Sequence, residues 1–343
     1  MNARDLEITA RALVAPGKGI LAADESGGTI GKRFANIGLF STEETRRAYR
    51  SALFTTPGLS QLISGIILFD ETLRQSSDDG RRFGQLITDA GMTPGIKVDK
   101  GTKPLAGFPG DKITEGLDGL RERLAEYVQL GARFTKWRAV IVVGNHNLPS
   151  RTALEANAHA LARFAALSQE ANLVPIVEPE VLMDGAHSIQ RHMEVTTAAL
   201  QSVFRALVEH RVVLEGMLLK PNMVLSGTTC SQQADVSTVA DATLRCLREN
   251  VPAAVPGIVF LSGGQGDIDA TAHLNAMNVL NQVPWQLSFS FGRALQAPAL
   301  SQWAGKAANV PAAQRALLHR ARCNSAARSG QYSSEHEHPA TPG

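Results

Sequence analysis

Charge is sparse in this chain and almost balanced. Charged residues make up 19% of the 343, and 34 Lys and Arg against 32 Asp and Glu give a formal net charge of +2. A surface built to hold a nucleic-acid backbone is far more one-sided, so no nucleic-acid partner is expected. Cysteine is scarcer still. Cys230, Cys246 and Cys323 are far apart and odd in number. They suggest a reducing compartment, with neither a disulfide framework nor a zinc site. Long apolar runs are missing: stretches such as Ile66 to Phe69 are far too short to span a bilayer. Arg4, Asp5 and Glu7 leave the N-terminus without the apolar core of a signal peptide, and no N-glycosylation sequon occurs. A cytoplasmic protein with no membrane partner is the expectation. No low-complexity linker occurs before residue 324, and the segment beyond is rich in Ser, Gly, His and Pro. A single catalytic domain over 1–323 and a flexible C-terminal tail over 324–343 are therefore expected.

Two nucleotide motifs are present only in outline. Gly17-Lys18-Gly19-Ile20-Leu21-Ala22 imitates a dinucleotide fingerprint, but it precedes its strand instead of following one. Gly31-Lys32-Arg33 imitates the end of a P-loop, yet Ser26 stands where the first glycine belongs and Arg33 replaces Ser/Thr. Both are excluded. Histidine is absent from the predicted strand ends, where a metal-dependent enzyme of this size would need it; His336 and His338 sit in the tail. No metal and no cofactor are expected.

What the chain has is a large hydrophobic share, 44%, and a regular alternation of apolar runs with helical stretches. The spacing predicts strands at 19–24, 63–69, 95–101, 133–138, 173–180, 214–222, 257–264 and 286–293. Helices are predicted near 5–14, 42–54, 117–130, 152–170, 195–210 and 236–249, the second opened by a capping box at Ser41-Thr42-Glu43-Glu44. Eight strand–helix alternations in about 270 residues predict an α/β fold, the (β/α)8 TIM barrel. A doubly wound sheet is the alternative, without a dinucleotide turn to support it.

The stretch Leu214 to Asn222 organises the rest. Period 2 puts Leu214, Gly216, Leu218 and Lys220 on one face, apolar until its last member, and Pro221 stops the strand. A lysine at the mouth of an apolar slot is desolvated, which favours the neutral amine that can form a Schiff base with a carbonyl. A lone strand-end lysine is ordinarily a solvated one. Here, however, Asp24, Lys97, Asp99, Lys136, Arg138, Glu178, Glu180, Ser262 and Ser290 also stand at predicted strand ends. In a barrel these ends meet at one mouth, and so many polar groups there are costly unless chemistry needs them.

Each type suggests a role. Lys220 is the nucleophile, with Lys136 and Arg138 as like charges that lower its pKa. Glu178 is a general acid/base for carbinolamine dehydration. Glu180 holds the lysines by charge pairing, and Asp24 accepts a proton from a substrate hydroxyl. Ser262-Gly263-Gly264 and Gly292-Arg293 follow strands seven and eight, where barrels bind phosphate; Ser26, Thr29 and Lys97 suit a second phosphate across the mouth.

Seven segments carry a closer likeness: Gly17–Gly28, Gly95–Gly101, Lys136-Trp137-Arg138, Val177–Glu180, Leu214–Asn222, Leu261–Gln265 and Ser290–Gln296. With them the chain resembles the class I fructose-1,6-bisphosphate aldolases up to about residue 305. The resemblance implies a Schiff base at Lys220, acid/base work by Glu178, and Asp24 at the substrate C4 hydroxyl. It implies electrostatic support from Lys136 and Glu180, and Ser290 beside the Schiff base. It implies one phosphate at Ser262, Gly263 and Arg293, with Ser26, Thr29, Arg33 and Lys97 toward the other. It also implies a homotetramer, a phosphorylated sugar substrate, and a place in glycolysis and gluconeogenesis. Two departures stand out. Phe291 occupies a position where many members carry tyrosine, and the chain does not end in the tyrosine that assists proton exchange in many eukaryotic members. Tyr332 is the only tail tyrosine, while Tyr49 and Tyr127 fall on predicted outer helices. A transaldolase-like barrel, a metal-dependent aldolase and a non-catalytic barrel are the competing readings; cleavage of fructose 1,6-bisphosphate in EDTA separates them.

Overall fold

The structure is a computed structural model that describes residues 2–144, 147–280 and 283–338. Helix α1 (Ala3–Leu13) is capped by Asn2, whose side chain accepts from the Arg4 and Asp5 amides. The chain continues through β1 (Gly19–Ala23), α2 (Gly27–Ala35), α3 (Glu43–Phe54), β2 (Ile63–Leu68), α4 (Asp70–Arg74), α5 (Phe83–Asp89) and β3 (Thr93–Lys97). A two-stranded ribbon, β4 (Thr102–Pro104) and β5 (Lys112–Thr114), precedes α6 (Leu120–Gln129), β6 (Phe134–Ile141), α7 (Arg151–Glu170), β7 (Val174–Val181) and α8 (Ile189–Glu209). Last come β8 (Leu218–Leu219), α9 (Val236–Asn250), β9 (Gly257–Phe260), α10 (Asp267–Leu280), β10 (Gln286–Phe291), α11 (Arg293–Trp303) and α12 (Val310–Arg328).

Eight parallel strands close in the order β1, β2, β3, β6, β7, β8, β9, β10 and back to β1, with β4 and β5 outside. This is the (β/α)8 barrel that the alternation predicts, and the β1–β10 pairing, Ile20 opposite Ser290, excludes the open doubly wound sheet. Strand periodicity sorts the interior by depth. Ile20, Ile67, Phe134, Val174, Ile176, Leu218 and Val259 form one buried cluster with Leu6, Ala10 and Leu13 of α1, which plugs the floor. Gly95 makes room for a bulky neighbour: a Cβ there would lie 2.2 Å from the Phe134 ring. One step up each strand, the same faces carry Lys97, Lys136 and Glu178.

Three expectations shift. The strand predicted over 214–222 shrinks to two residues, because Leu214–Gly216 is a 3₁₀ turn. Gly216 lies against α1, where a Cβ would be 2.8 Å from Leu6 Cβ. Gln169 Nε2 donates to the Val213 and Gly216 carbonyls at 2.8 and 3.2 Å. Lys220 keeps one ladder bond, its amide donating to Val177 O at 2.8 Å, and Pro221 ends the pairing. The capping box moves one residue on: Thr42 and Thr45 exchange amide–hydroxyl bonds of 3.1 and 2.9 Å, so Glu44 plays no part. The predicted break at 323/324 falls inside α12, whose last turns are buried. Asn324 accepts from Thr271 at 2.7 Å, and the Arg328 guanidinium donates to the Val14 and Lys18 carbonyls beneath the barrel.

Candidate active site

The strand ends open into a cavity of about 1110 Å³ bordered by Asp24, Ser26, Thr29, Arg33, Lys97, Lys136, Arg138, Glu178, Glu180, Lys220, Ser262, Gly263, Ser290, Gly292 and Arg293, residues that the sequence singles out; Gly264 of the expected phosphate turn is not among its lining. At its base lies a chain of charges. Lys220 Nζ stands 3.4 Å from Glu178 Oε1, Glu178 Oε2 lies 3.2 Å from Lys136 Nζ, and Lys136 Nζ is 2.6 Å from Asp24 Oδ2. Lys220, Glu178 and Lys136 are all buried. Register places them. Lys136 of β6 lies beside Lys97 of β3, and Glu178 of β7 opposite Arg138 of β6.

The charges set one another. Burial alone would lift the Asp24 carboxyl, but Lys136, Lys220 and Lys97 outweigh it and hold Asp24 well below the usual carboxylate range. Burial alone would lower the Lys136 ammonium, but Asp24, Glu178 and Asp99 more than compensate and raise it. Asp24 is thus a carboxylate at neutral pH and Lys136 a permanent cation. Burial, helped by the nearby Glu178, pushes the Glu180 carboxyl up against the opposing pull of Arg138. Glu180 pairs with Arg138, Oε2 to Nη1 at 2.8 Å, and not with a lysine as expected; in the β6–β7 register Arg138 lies opposite Glu178, and its side chain reaches two residues along β7 to Glu180. Lys136 and Arg138 both come with carboxylate partners, so they are not the bare repulsive neighbours of Lys220 that the sequence suggests.

Two turns that follow strands β9 and β10, and the start of α2, gather above. Gly263 holds φ +62° in the Ser262–Gly264 turn, and Arg293 Nη2 donates to its carbonyl at 3.1 Å. At the start of α2, Ser26 and Thr29 hydroxyls are 3.2 Å apart, and a Cβ at Gly27 or Gly28 would meet nothing within 4 Å. A helix N-terminus open to the cavity offers free backbone N–H groups to an anion. These two groups are not on opposite walls. β1 pairs with β10, so Arg33 comes close to the Gly292 turn, 3.9 Å from a Cβ placed there. Lys97, two strands along from β1, is bound to Asp99 Oδ1 at 2.5 Å and to its carbonyl at 3.0 Å.

The sequence reading missed several lining residues. Glu25, next to Asp24, receives Arg33, Arg50 Nη2 and Gln296 Nε2, the latter two at 2.5 and 2.8 Å. Asp99, one of the polar residues at the predicted strand ends, is given no role by the sequence. Tyr127 was placed on the outer ring, yet it borders the cavity, with its hydroxyl donating to Asp70 at 2.8 Å; Arg123 of the same helix donates to the Val98 carbonyl at 2.8 Å. Adjacency to Asp24 was a usable signal for Glu25; nothing local marks Arg123 or Tyr127. Phe291 is fully buried on the strand face opposite Ser290, its ring 5.6 Å from Phe289, and does not border the cavity. Tyr332 does not border it either.

Fold and mouth together define a barrel enzyme of the carbon–carbon lyase kind, with an amine and carboxylates at its base and glycine-containing turns at its rim. The family model for class-I fructose-bisphosphate aldolase matches residues 5–342. A probable fructose-bisphosphate aldolase class 1 of Xanthomonas axonopodis pv. citri is 57% identical over 97% of this chain and 99% of its own. A fructose-bisphosphate aldolase of Dictyostelium discoideum is 54% identical over 97% of this chain and 94% of its own. The fructose-bisphosphate aldolase of Plasmodium falciparum, solved with TRAP and a small-molecule inhibitor, superposes with a TM-score of 0.95 at 50% identity, covering 97% of this chain and 96% of that one. The chain belongs to the class I fructose-bisphosphate aldolases, glycolytic lyases.

Proposed function

We propose that this chain cleaves fructose 1,6-bisphosphate reversibly to dihydroxyacetone phosphate and glyceraldehyde 3-phosphate through a Schiff base on Lys220. The carrying observation is the buried run Lys220–Glu178–Lys136–Asp24, with Glu178 3.4 Å from the amine. The Lys220 amine adds to the C2 carbonyl, Glu178 takes the proton that the nitrogen sheds and returns it to the carbinolamine oxygen, and with one further proton from solvent that oxygen leaves as water and an iminium remains. The iminium then accepts the C3–C4 bonding pair as Asp24 removes the C4 hydroxyl proton, which releases the aldehyde. Lys136 stays charged and steadies both carboxylates. Glu180 and Arg138 form the wall beside them, and Ser290, buried on β10 next to β1, faces the Schiff base. Ser262, Gly263, Gly292 and Arg293 receive one phosphate; Ser26, Thr29, Arg33 and Lys97 receive the other.

The test is reduction in place. Borohydride added with dihydroxyacetone phosphate is expected to fix the ligand on Lys220, located by peptide mass mapping, and Lys220→Arg is expected to be inactive because guanidinium stays protonated. Label on another lysine, or an active Lys220→Arg, overturns the assignment.

Sedoheptulose 1,7-bisphosphate and fructose 1-phosphate share the dihydroxyacetone-phosphate half, so steady-state kinetics on all three sugars fixes the preferred one. A homotetramer and a cytoplasmic location belong to the same reading. The location is supported by relatives described as cytosolic, among them an Arabidopsis thaliana aldolase 55% identical over 92% of this chain. Among the described residues no helix is long and apolar enough to cross a membrane. The division into one catalytic unit and a tail is kept with its boundary moved beyond α12.

A further inference from the structure

Among the described residues, one group of His, Cys and carboxylate side chains is spaced to hold a metal ion, and none of its members borders the cavity. His319 and Cys323 lie four residues apart on α12, which puts them on one face. Glu337 reaches them from the 3₁₀ turn Ser334–Glu337 in the C-terminal segment. Cys323 Sγ is 3.8 Å from His319 Nε2, His319 Nε2 is 4.0 Å from Glu337 Oε2, and all three ligand atoms lie within 4.8 Å of one another. Tetrahedral zinc, with Zn–S near 2.3 Å and Zn–N or Zn–O near 2.0–2.1 Å, separates neighbouring ligand atoms by about 3.3–3.6 Å. Side-chain shifts from a few tenths of an ångström to about 1 Å close the difference.

The surroundings suit an ion. Cys323 is buried, and besides the Glu337 carboxylate its sulfur has the His319 ring and the His336 carbonyl, the latter at 3.5 Å, as polar neighbours. The Glu337 carboxylate is held from outside: Tyr332 donates to Oε1 at 2.6 Å, and Arg320 Nη1 pairs with Oε2 at 2.5 Å. Such outer contacts orient a ligating carboxylate. Arg320 is the cation an ion would have to share Glu337 with. It has other partners to fall back on: the Asp267 carbonyl at 3.1 Å, the Thr271 hydroxyl at 2.7 Å and the Asp267 carboxylate at 3.8 Å.

We infer that His319, Cys323 and Glu337 form a zinc site that staples the C-terminal segment to α12, apart from the cleavage chemistry. Thiolate, imidazole and carboxylate together select a borderline-soft divalent ion, and three protein ligands leave a fourth position for water. On binding, the Cys323 thiol releases its proton to solvent, and the sulfur, the His319 lone pair and one Glu337 oxygen form the three bonds. Without metal the same groups make only a hydrogen-bonded latch.

The test uses the full chain stripped with chelator and titrated with Co²⁺, then Zn²⁺. The expected result is one equivalent of Co²⁺ per chain with a thiolate-to-cobalt charge-transfer band, lost when Zn²⁺ displaces it. Cys323→Ser and His319→Gln are expected to remove the band, and Tyr332→Phe to weaken binding by about 10–100-fold. A His336→Gln/His338→Gln double variant is expected to retain it. If Cys323→Ser fails to fold, iodoacetamide on the unsubstituted chain decides: stoichiometric Zn²⁺ should protect Cys323, read by peptide mapping. No thiolate band, a band that survives Cys323→Ser, or Cys323 alkylated at the same rate with and without Zn²⁺ overturns the site.

Discussion

Asp24 and Lys136 are each held in the charged form chiefly by other side chains of the mouth. For Asp24, burial pulls toward the neutral acid and three lysines pull the other way and win. Its native pKa lies below the ordinary carboxylate value near 3.9, so the stability it contributes is present above about pH 4 and lost as pH falls through the native value. Lys136→Met removes the nearest of those lysines and leaves burial. Asp24 is then expected to take up its proton at higher pH, so the acid limb of the kcat/KM profile should move toward neutral; an unmoved limb would mean that Lys136 does not set the state of Asp24. Glu178→Gln keeps the shape of the site and loses the proton acceptor 3.4 Å from Lys220. It is expected to lower kcat by about 10²–10⁴ while KM changes little, and an intact kcat would remove Glu178 from the proton path. At this scale the sequence was legible where period 2 sorts faces: Asp24, Lys136, Glu178 and Lys220 all point inward as read. It was not legible where partners come from afar. Nothing near Glu25 announces Arg50, 25 residues on, or Gln296, 271 residues on.

That last network is also where elements meet. α2 supplies Arg33, α3 Arg50 and α11 Gln296, and all three close on the carboxylate of Glu25 just past β1. Gln296 additionally donates to the Ala22 carbonyl at 2.6 Å, which ties α11 to the end of β1. Removing one partner of a buried ion pair leaves an uncompensated charge, typically at a cost of 3–5 kcal/mol. Arg33 retains part of the pairing, so Arg50→Met is expected to destabilise by about 3 kcal/mol, seen as a lower urea midpoint at unchanged slope. An unchanged midpoint would mean that Arg33 and Gln296 suffice. Element types were readable from periodicity, since runs of apolar residues at strand and helix spacing are long here. Their ends were not. β8 shortened because α1 and Gln169 claim residues 214–216, a contact between segments far apart in sequence. The α3 cap moved one residue on because Thr42 and Thr45 satisfy each other's amides, which makes Thr42 and not Ser41 the N-cap.

For the molecule as a whole, closure of the barrel followed from counting strands, but the wrapping of its last segment did not. A composition rich in Ser, Gly and His reads as a mobile tail, whereas residues up to 338 lie against the outer helices. The Tyr332 amide donates to Asn275 Oδ1 at 2.9 Å, its hydroxyl to Glu337, and Glu337 pairs with Arg320, whose side chain is only 3% exposed. α12 carries this segment away from the mouth: its Arg328 bonds the carbonyls of Val14 and Lys18, just before β1, at the floor. The cleavage groups and the tail therefore sit on different parts of the barrel, and their losses should separate. Deleting residues 333–343 removes Glu337 and leaves the Arg320 guanidinium buried with only neutral acceptors and the more distant Asp267. In chelator-containing buffer, where no ion can contribute, the deletion is expected to lower unfolding free energy by about 2–3 kcal/mol. Far below the new midpoint, kcat for fructose 1,6-bisphosphate should stay within about twofold, since none of the acid/base groups is touched. Tyr332→Phe should likewise leave tritium exchange with dihydroxyacetone phosphate unchanged. A large fall in kcat on deletion, or slowed exchange in Tyr332→Phe, would place the tail at the mouth; unchanged stability would mean that Arg320 finds equal partners once Glu337 is gone.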